Sequence, residues 1–160
     1  MYELLCIHSL PNRQMVSANR DVFVMSDMVE KWGKDVAGRG FAQVPNYLLL
    51  LNTFIEKDDR LSPLELLLLI ELIGAWWKKD ELPFPSIRTL AIRCGASERQ
   101  VARAMTRLEE VPLIKRQKRR TKGLISSNSY DLSPLVEMLE EVSRQYPNEF
   151  PRNVETGGKP

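Results

Sequence analysis

The sequence predicts a mainly α domain completed by a small two-stranded β-hairpin. Three observations carry that expectation. Ser62-Pro63-Leu64-Glu65 opens a long apolar run, two Ser-headed helical segments flank Gly95, and two short extended segments flank Thr121-Lys122-Gly123. The chain has 160 residues, 43% hydrophobic and 28% charged, which suits one compact domain with a modest appendage.

Taken in order, Tyr2 to Leu10 and Asp21 to Met25 read as short strands. Ser26 reads as the cap of a helix whose Met28, Trp32 and Val36 recur every four residues. Gly38-Arg39-Gly40 breaks that pattern, so residues 1–40 are expected to form an N-terminal extension that packs on the core or mediates self-association. Phe41 to Val44 reads as extended, and Pro45 stands at the first turn of a short helix through Leu48, Leu49, Leu51 and Phe54. After the charged connector 56–60, Ser62 caps a helix expected to run to Lys78, with Pro63 at its first position and Glu65 three residues past the cap. Only Glu65 and Glu71 interrupt its apolar residues from Leu64 to Trp77, too short and punctuated a run for a membrane span, so it is expected as the central buried helix. Trp32, Trp76 and Trp77 are expected in the core.

Ser86 caps a helix over Ile87 to Cys94, which Gly95 ends. Ser97 caps the next, Glu98 to Glu110, which Pro112 stops. Leu113 to Arg116 starts a strand, 121–123 turns it, and Ser129 to Leu132 lies on the return. Ser133-Pro134 opens a last amphipathic helix carrying Leu135, Val136, Leu139 and Val142, and residues 147–160 are expected to be a disordered tail. The domain proper is thus expected over 41–146.

Charge points to the partner. Between Ser86 and Lys122 stand eleven basic residues against three acidic ones, a net +8, while the remainder carries −6 and the whole chain only +2. One basic face on an acidic body is the footprint of a polyanion binder. On a helical wheel, Val101, Ala104, Met105 and Leu108 share one face of the 98–110 segment. Arg99, Arg103 and Arg107 lie opposite, with Gln100 and Thr106 on the flanks. Such a helix can pack on its own domain while lying in a major groove, where the forked groups of Arg and Gln fit guanine and adenine edges. The helix start at Ser97 adds backbone donors suited to phosphate. Lys115, Arg116, Lys118, Arg119, Arg120 and Lys122 crowd the hairpin with no acid among them, and Arg88 heads the preceding helix. The expected site is therefore base readout by Arg99, Gln100 and Arg103, with Arg88 and Arg107 on the DNA backbone, the hairpin cations on the backbone or in the minor groove, and Ser97 and Thr106 completing the DNA-binding set. Arg93 is expected either on phosphate or simply solvated.

The stretch Pro85 to Val101, with Ser86, Leu90-Ala91 and Gly95-Ala96-Ser97, followed by Leu108, resembles the helix-turn-helix of bacterial winged-helix DNA-binding proteins. Ser127 to Leu132 and Phe41 to Asn46 are similar to the second wing strand and entry segment of a subgroup found in small regulators and in phage and plasmid replication proteins. The resemblance covers residues 41–139 and implies a winged helix-turn-helix fold that binds double-stranded DNA. Where that family usually has Gly before the wing, this chain has Val111-Pro112-Leu113; proline is expected to stop the helix equally well and to alter the angle at which the wing leaves.

Other functions find little in the sequence. His8 is the sole histidine, Cys6 and Cys94 lack zinc spacing, Gly38-Arg39-Gly40 is no phosphate loop, and Glu56, Asp58 and Asp59 miss the spacing of a calcium loop. No catalytic residue, metal or cofactor is therefore expected. The start of the chain shows no basic leader joined to a long apolar run, so a cytoplasmic location is expected. The expected role is transcriptional regulation as a homodimer, through the 64–77 helix, the extension or the final helix. Replication initiation is the runner-up, and a winged protein-interaction module the alternative of another class.

Overall fold

The computed structural model describes residues 27–121, 124–125 and 127–149, without side chains at 120–121 and 124–125. It divides into two units, Met1–Phe41 and Ala42–Pro160. The strands expected at 2–10 and 21–25 lie outside the described residues, as does the tail beyond Glu149.

In the first unit, residues 27–32 (α1) and Lys34–Ala37 (α2) are helical. The single apolar helix expected there is broken at Gly33, whose φ of 81° lies outside the helical range. Nor is its face buried: Trp32 and Val36 are each 52% exposed, and Trp32 instead meets Phe41 at 6.3 Å between ring centroids.

In the second unit, residues 42–45 are irregular, and the one short helix expected after Pro45 is two separate turns, α3 (Asn46–Leu49) and α4 (Leu51–Phe54). Leu50, at φ −104° and ψ 9°, parts them, so that Leu48 and Leu51 are both buried while Leu49 stays exposed. Asn52 ties this segment to the next: its Nδ2 donates to the Leu61 carbonyl at 2.8 Å and its Oδ1 accepts from the Leu61 N–H at 2.7 Å.

Helix α5 (Pro63–Gly74) begins as its residues dictate. The Glu65 N–H donates to Ser62 Oγ, and the Ser62 N–H donates back to the Glu65 carboxylate at 2.7 Å. It ends at Gly74, four residues before the expected Lys78. Gly74 is a poor helix former, and the Ala75 N–H already closes onto the Glu71 and Leu72 carbonyls. Trp76 keeps partial burial against the core, but Trp77, carried out by a turn closed between Lys78 and Glu81, is exposed rather than core.

The centre of the core is α5, with Leu68, Leu69 and Leu72 fully enclosed. Around it pack α6 (Ile87–Cys94) through Leu90 and Ala91, and α7 (Glu98–Glu110) through Val101, Ala104, Met105 and Leu108. Beyond α7 the chain forms an antiparallel hairpin in two ladders. Strands β1 (Lys115–Gln117) and β4 (Ser129–Asp131) pair at its base, and β2 (Arg120–Thr121) and β3 (Leu124–Ile125) pair farther out. Leu113 and Ile114, expected in the first strand, precede it and are buried in the core. The two ladders differ in register by one residue, with Gln117 opposite Ser129 but Arg120 opposite Ile125, so the returning strand carries one extra residue between them. Tyr130, buried on the returning strand, donates its N–H to the Pro83 carbonyl at 2.9 Å, which attaches the hairpin to the loop ahead of α6.

The last helix, α8 (Ser133–Gln145), buries Leu135, Leu139 and Val142, while Val136 turns outward, contrary to expectation. Its entry is set by Asp131, whose Oδ1 accepts from both the Ser133 N–H and Oγ–H. Those hydrogen bonds hold the Asp131 carboxyl below its ordinary range.

Candidate nucleic-acid interface

The turn between α6 and α7 rests on three residues. Ser86 Oγ accepts the Thr89 N–H at 3.0 Å and starts α6. Gly95 ends it in the left-handed region, at φ 63° and ψ 31°, where the Ala96 N–H reaches the Ala91 carbonyl at 3.0 Å. Ser97 then starts α7: its Oγ accepts the Gln100 N–H, and Gln100 Oε1 accepts both the N–H and the hydroxyl of Ser97. A Cβ at Gly95 would meet no atom within 4 Å, so its cost is conformational alone. Gly95→Ala is therefore expected to destabilise the fold by about 1 kcal/mol, read by denaturant unfolding.

Helix α7 separates two chemistries. Its four apolar residues are buried, and Arg99, Arg103 and Thr106 stand exposed on the other side around a shallow open depression that Ala102, Arg107 and Glu110 complete. Among the described residues no ion pair engages Arg88, Arg99, Arg103, Lys115 or Lys118, and all five are exposed. Thr106 donates its hydroxyl to the Ala102 carbonyl at 3.1 Å, and Gln100 has its carbonyl oxygen occupied by the cap.

Other expected site residues have partners within the chain. Arg107 donates from Nη2 to the Asp58 carbonyl and lies 3.6 Å from Asp59 Oδ1, which joins α7 to the acidic turn at Lys57–Asp59. Arg116 is ion-paired with Glu109 at 2.9 Å. Arg119 lies over the Phe84 ring, 3.9 Å from its centroid. Arg93, expected on phosphate or in solvent, is instead paired with Glu71 at 3.2 Å. The side chain of Arg120 and all of Lys122 lie outside the described residues. None of these pairings is legible from spacing except Glu109 with Arg116, seven residues apart across a short connection.

Among the described residues, no group of three or more His, Cys, Asp or Glu could hold a metal. The Cys94 thiol is pushed up by burial and by the nearby Glu71 charge, which disfavours the reactive thiolate. No described helix is long and apolar enough to cross a membrane.

Two helices joined by a Gly turn, set on a central apolar helix and followed by an antiparallel hairpin, define a winged helix-turn-helix fold. Residues 59–114, from the acidic turn to the residue before β1, match the family model of a helix-turn-helix domain. The chain thus carries a helix-turn-helix domain, a module of DNA-binding proteins. No curated protein sequence matches the chain.

Proposed function

We propose that the protein binds double-stranded DNA in a sequence-specific way, as a transcriptional regulator, with α7 in the major groove and the wing on the backbone or in the minor groove. One observation carries the reading: α7 buries one face and presents on the other an exposed Arg99 and Arg103 that no ion pair engages among the described residues. Guanidinium groups on a rigid, capped helix suit guanine O6 and N7, and Gln100 can join them through its amide N–H groups. Arg88, Lys115, Lys118, Arg119, Arg120 and Lys122 contact phosphate, and Ser97 contributes the helix start. Thr106 and Arg107 stand farther along the same face. The role is that of a binder and not an enzyme, needs no cofactor, and is exercised in the cytoplasm. The domain over 41–146 works as a homodimer, aided by the 1–40 extension.

Six phosphate contacts predict a steep salt response. The logarithm of duplex affinity is expected to fall with the logarithm of salt at a slope of about −5, roughly a thousandfold between about 50 and 200 mM. Anisotropy of a labelled duplex measures it, and a slope shallower than about −2 would reject the set.

Sequencing fragments of sheared genomic DNA recovered on the protein tests the role. Enrichment at a few promoters supports regulation. Clusters of repeats beside an origin support replication initiation, which the closing Ser127 to Leu132 segment favours by its resemblance. No enrichment rejects sequence-specific binding and leaves a protein-interaction module.

A further inference from the structure

We propose that Glu109 and Arg116 form a clamp that fixes the wing to the reader helix, and that Arg116 serves DNA binding by positioning the wing without touching phosphate. The inference rests on the DNA-binding reading above and corrects the role that spacing alone assigns to Arg116.

Arg116 stands in the middle of β1, opposite Tyr130. Its neighbours Lys115 and Gln117 are exposed, as strand alternation requires, and Arg116 falls on the opposite, inward side. Its side chain is 29% exposed and that of Glu109 32%. One carboxylate holds the strand residue twice: Glu109 Oε2 lies 2.9 Å from Arg116 Nη2, and Glu109 Oε1 accepts the Arg116 main-chain N–H at 3.2 Å. The Arg116 Nε and Nη2 atoms are closed to solvent and have no aligned hydrogen-bond acceptor. Charge attraction to Glu109 is therefore what compensates their burial. To reach a phosphate, Arg116 would have to leave Glu109 partly buried and unpaired, a costly exchange for one surface contact.

The position of this pair gives it consequence. It spans the four residues between the end of α7 and β1, where Pro112 supplies no N–H. The Leu108 carbonyl accepts from both Leu113 (2.9 Å) and Ile114 (3.3 Å), which tightens the turn on one side. The ion pair closes the other. With both in place, Lys115 and Lys118 stand at a fixed distance from Arg99 and Arg103, so helix and wing meet the duplex as one body. Without the pair, the wing must be ordered during binding, and affinity falls by the cost of that ordering.

Three variants separate the two accounts. Arg116→Met removes the charge and keeps most of the volume. Glu109→Gln keeps shape and removes an acid from beside the interface. For a clamp, both weaken binding to a labelled random-sequence duplex, Arg116→Met by about tenfold, and the salt slope stays at the parental value. Arg116→Lys, which keeps charge but not the planar fork, fails to restore affinity. For a phosphate contact, Glu109→Gln binds as well or tighter, Arg116→Lys restores affinity, and Arg116→Met flattens the slope by about 0.9; any of these overturns the proposal. If the parental protein does not bind duplex at all, the DNA reading falls by itself, and the clamp is judged by amide exchange. Faster exchange of the β1 and β4 amides in Glu109→Gln, with α5 unchanged, supports the clamp, and unaltered wing exchange overturns it.

Discussion

Replacing Arg99 and Arg103 together by Ala is expected to weaken duplex binding by roughly 3–4 kcal/mol, on the order of a hundred- to a thousandfold, while leaving the melting temperature in place. The two halves of that expectation have separate causes. Both side chains are exposed and neither is engaged by an ion pair among the described residues, so truncation removes no contact that holds the fold. Ala is also the better helix former, which keeps the stability change within about 0.5 kcal/mol. The binding loss follows from two forked donors on one helix face, each worth about 1–3 kcal/mol when paired with the correct base edge. Anisotropy with a selected target duplex, alongside thermal unfolding, checks both at once. Unchanged affinity would remove α7 as the reader. A joint fall of affinity and melting temperature would make the arginines structural.

The largest effect on stability is expected at the centre of the fold. Leu72→Ala on α5 should destabilise the domain by about 2–5 kcal/mol, because Leu72 is fully enclosed and the helices around it cannot close the gap left behind. Against a typical total of about 5–15 kcal/mol, that is a large fraction. Leu67→Ala, on the exposed side of the same helix, is the matched comparison and should cost less than about 1 kcal/mol. Denaturant unfolding of both variants checks the assignment, and equal losses would mean that the buried face is wrongly placed.

Local chemistry explains which features were legible beforehand. Ser62 with Glu65, Ser86, Gly95 and Ser97 with Gln100 each act within one helical turn, and the helix starts and stops they announce are where the structure has them. The buried face of α7 follows from its period, as does its arginine stripe. Features that depend on distant or weak partners were not legible. Gly74 and Gly33 end helices without the neighbours that usually mark a stop, so α5 read four residues too long and α1 and α2 read as one. Arg107 reaches a turn forty-nine residues away, and Arg93 reaches Glu71 from twenty-two, so a count of cations could not separate those that face outward from those engaged at home. Trp77 and Val136 look like core by residue type and stand outside it: the chain leaves α5 and turns before Trp77 can be covered, and Val136 falls on the outward face of α8.

The attachment of the hairpin to the loop ahead of α6 also bears on how copies of this protein avoid one another. A strand recruits a neighbour by offering an alternating row of donors and acceptors. Beside β4, that place is taken by the loop carrying Pro83 and Pro85, where only Phe84 of the three residues has an N–H to offer. The other edge, β1, is three residues long, with Lys115 exposed on it and Lys118 just beyond. A strand from a second molecule would find imino acids on one side and ammonium groups on the other. The basic charge at the wing thus has a second consequence, independent of any nucleic acid: it keeps a short sheet from growing between molecules.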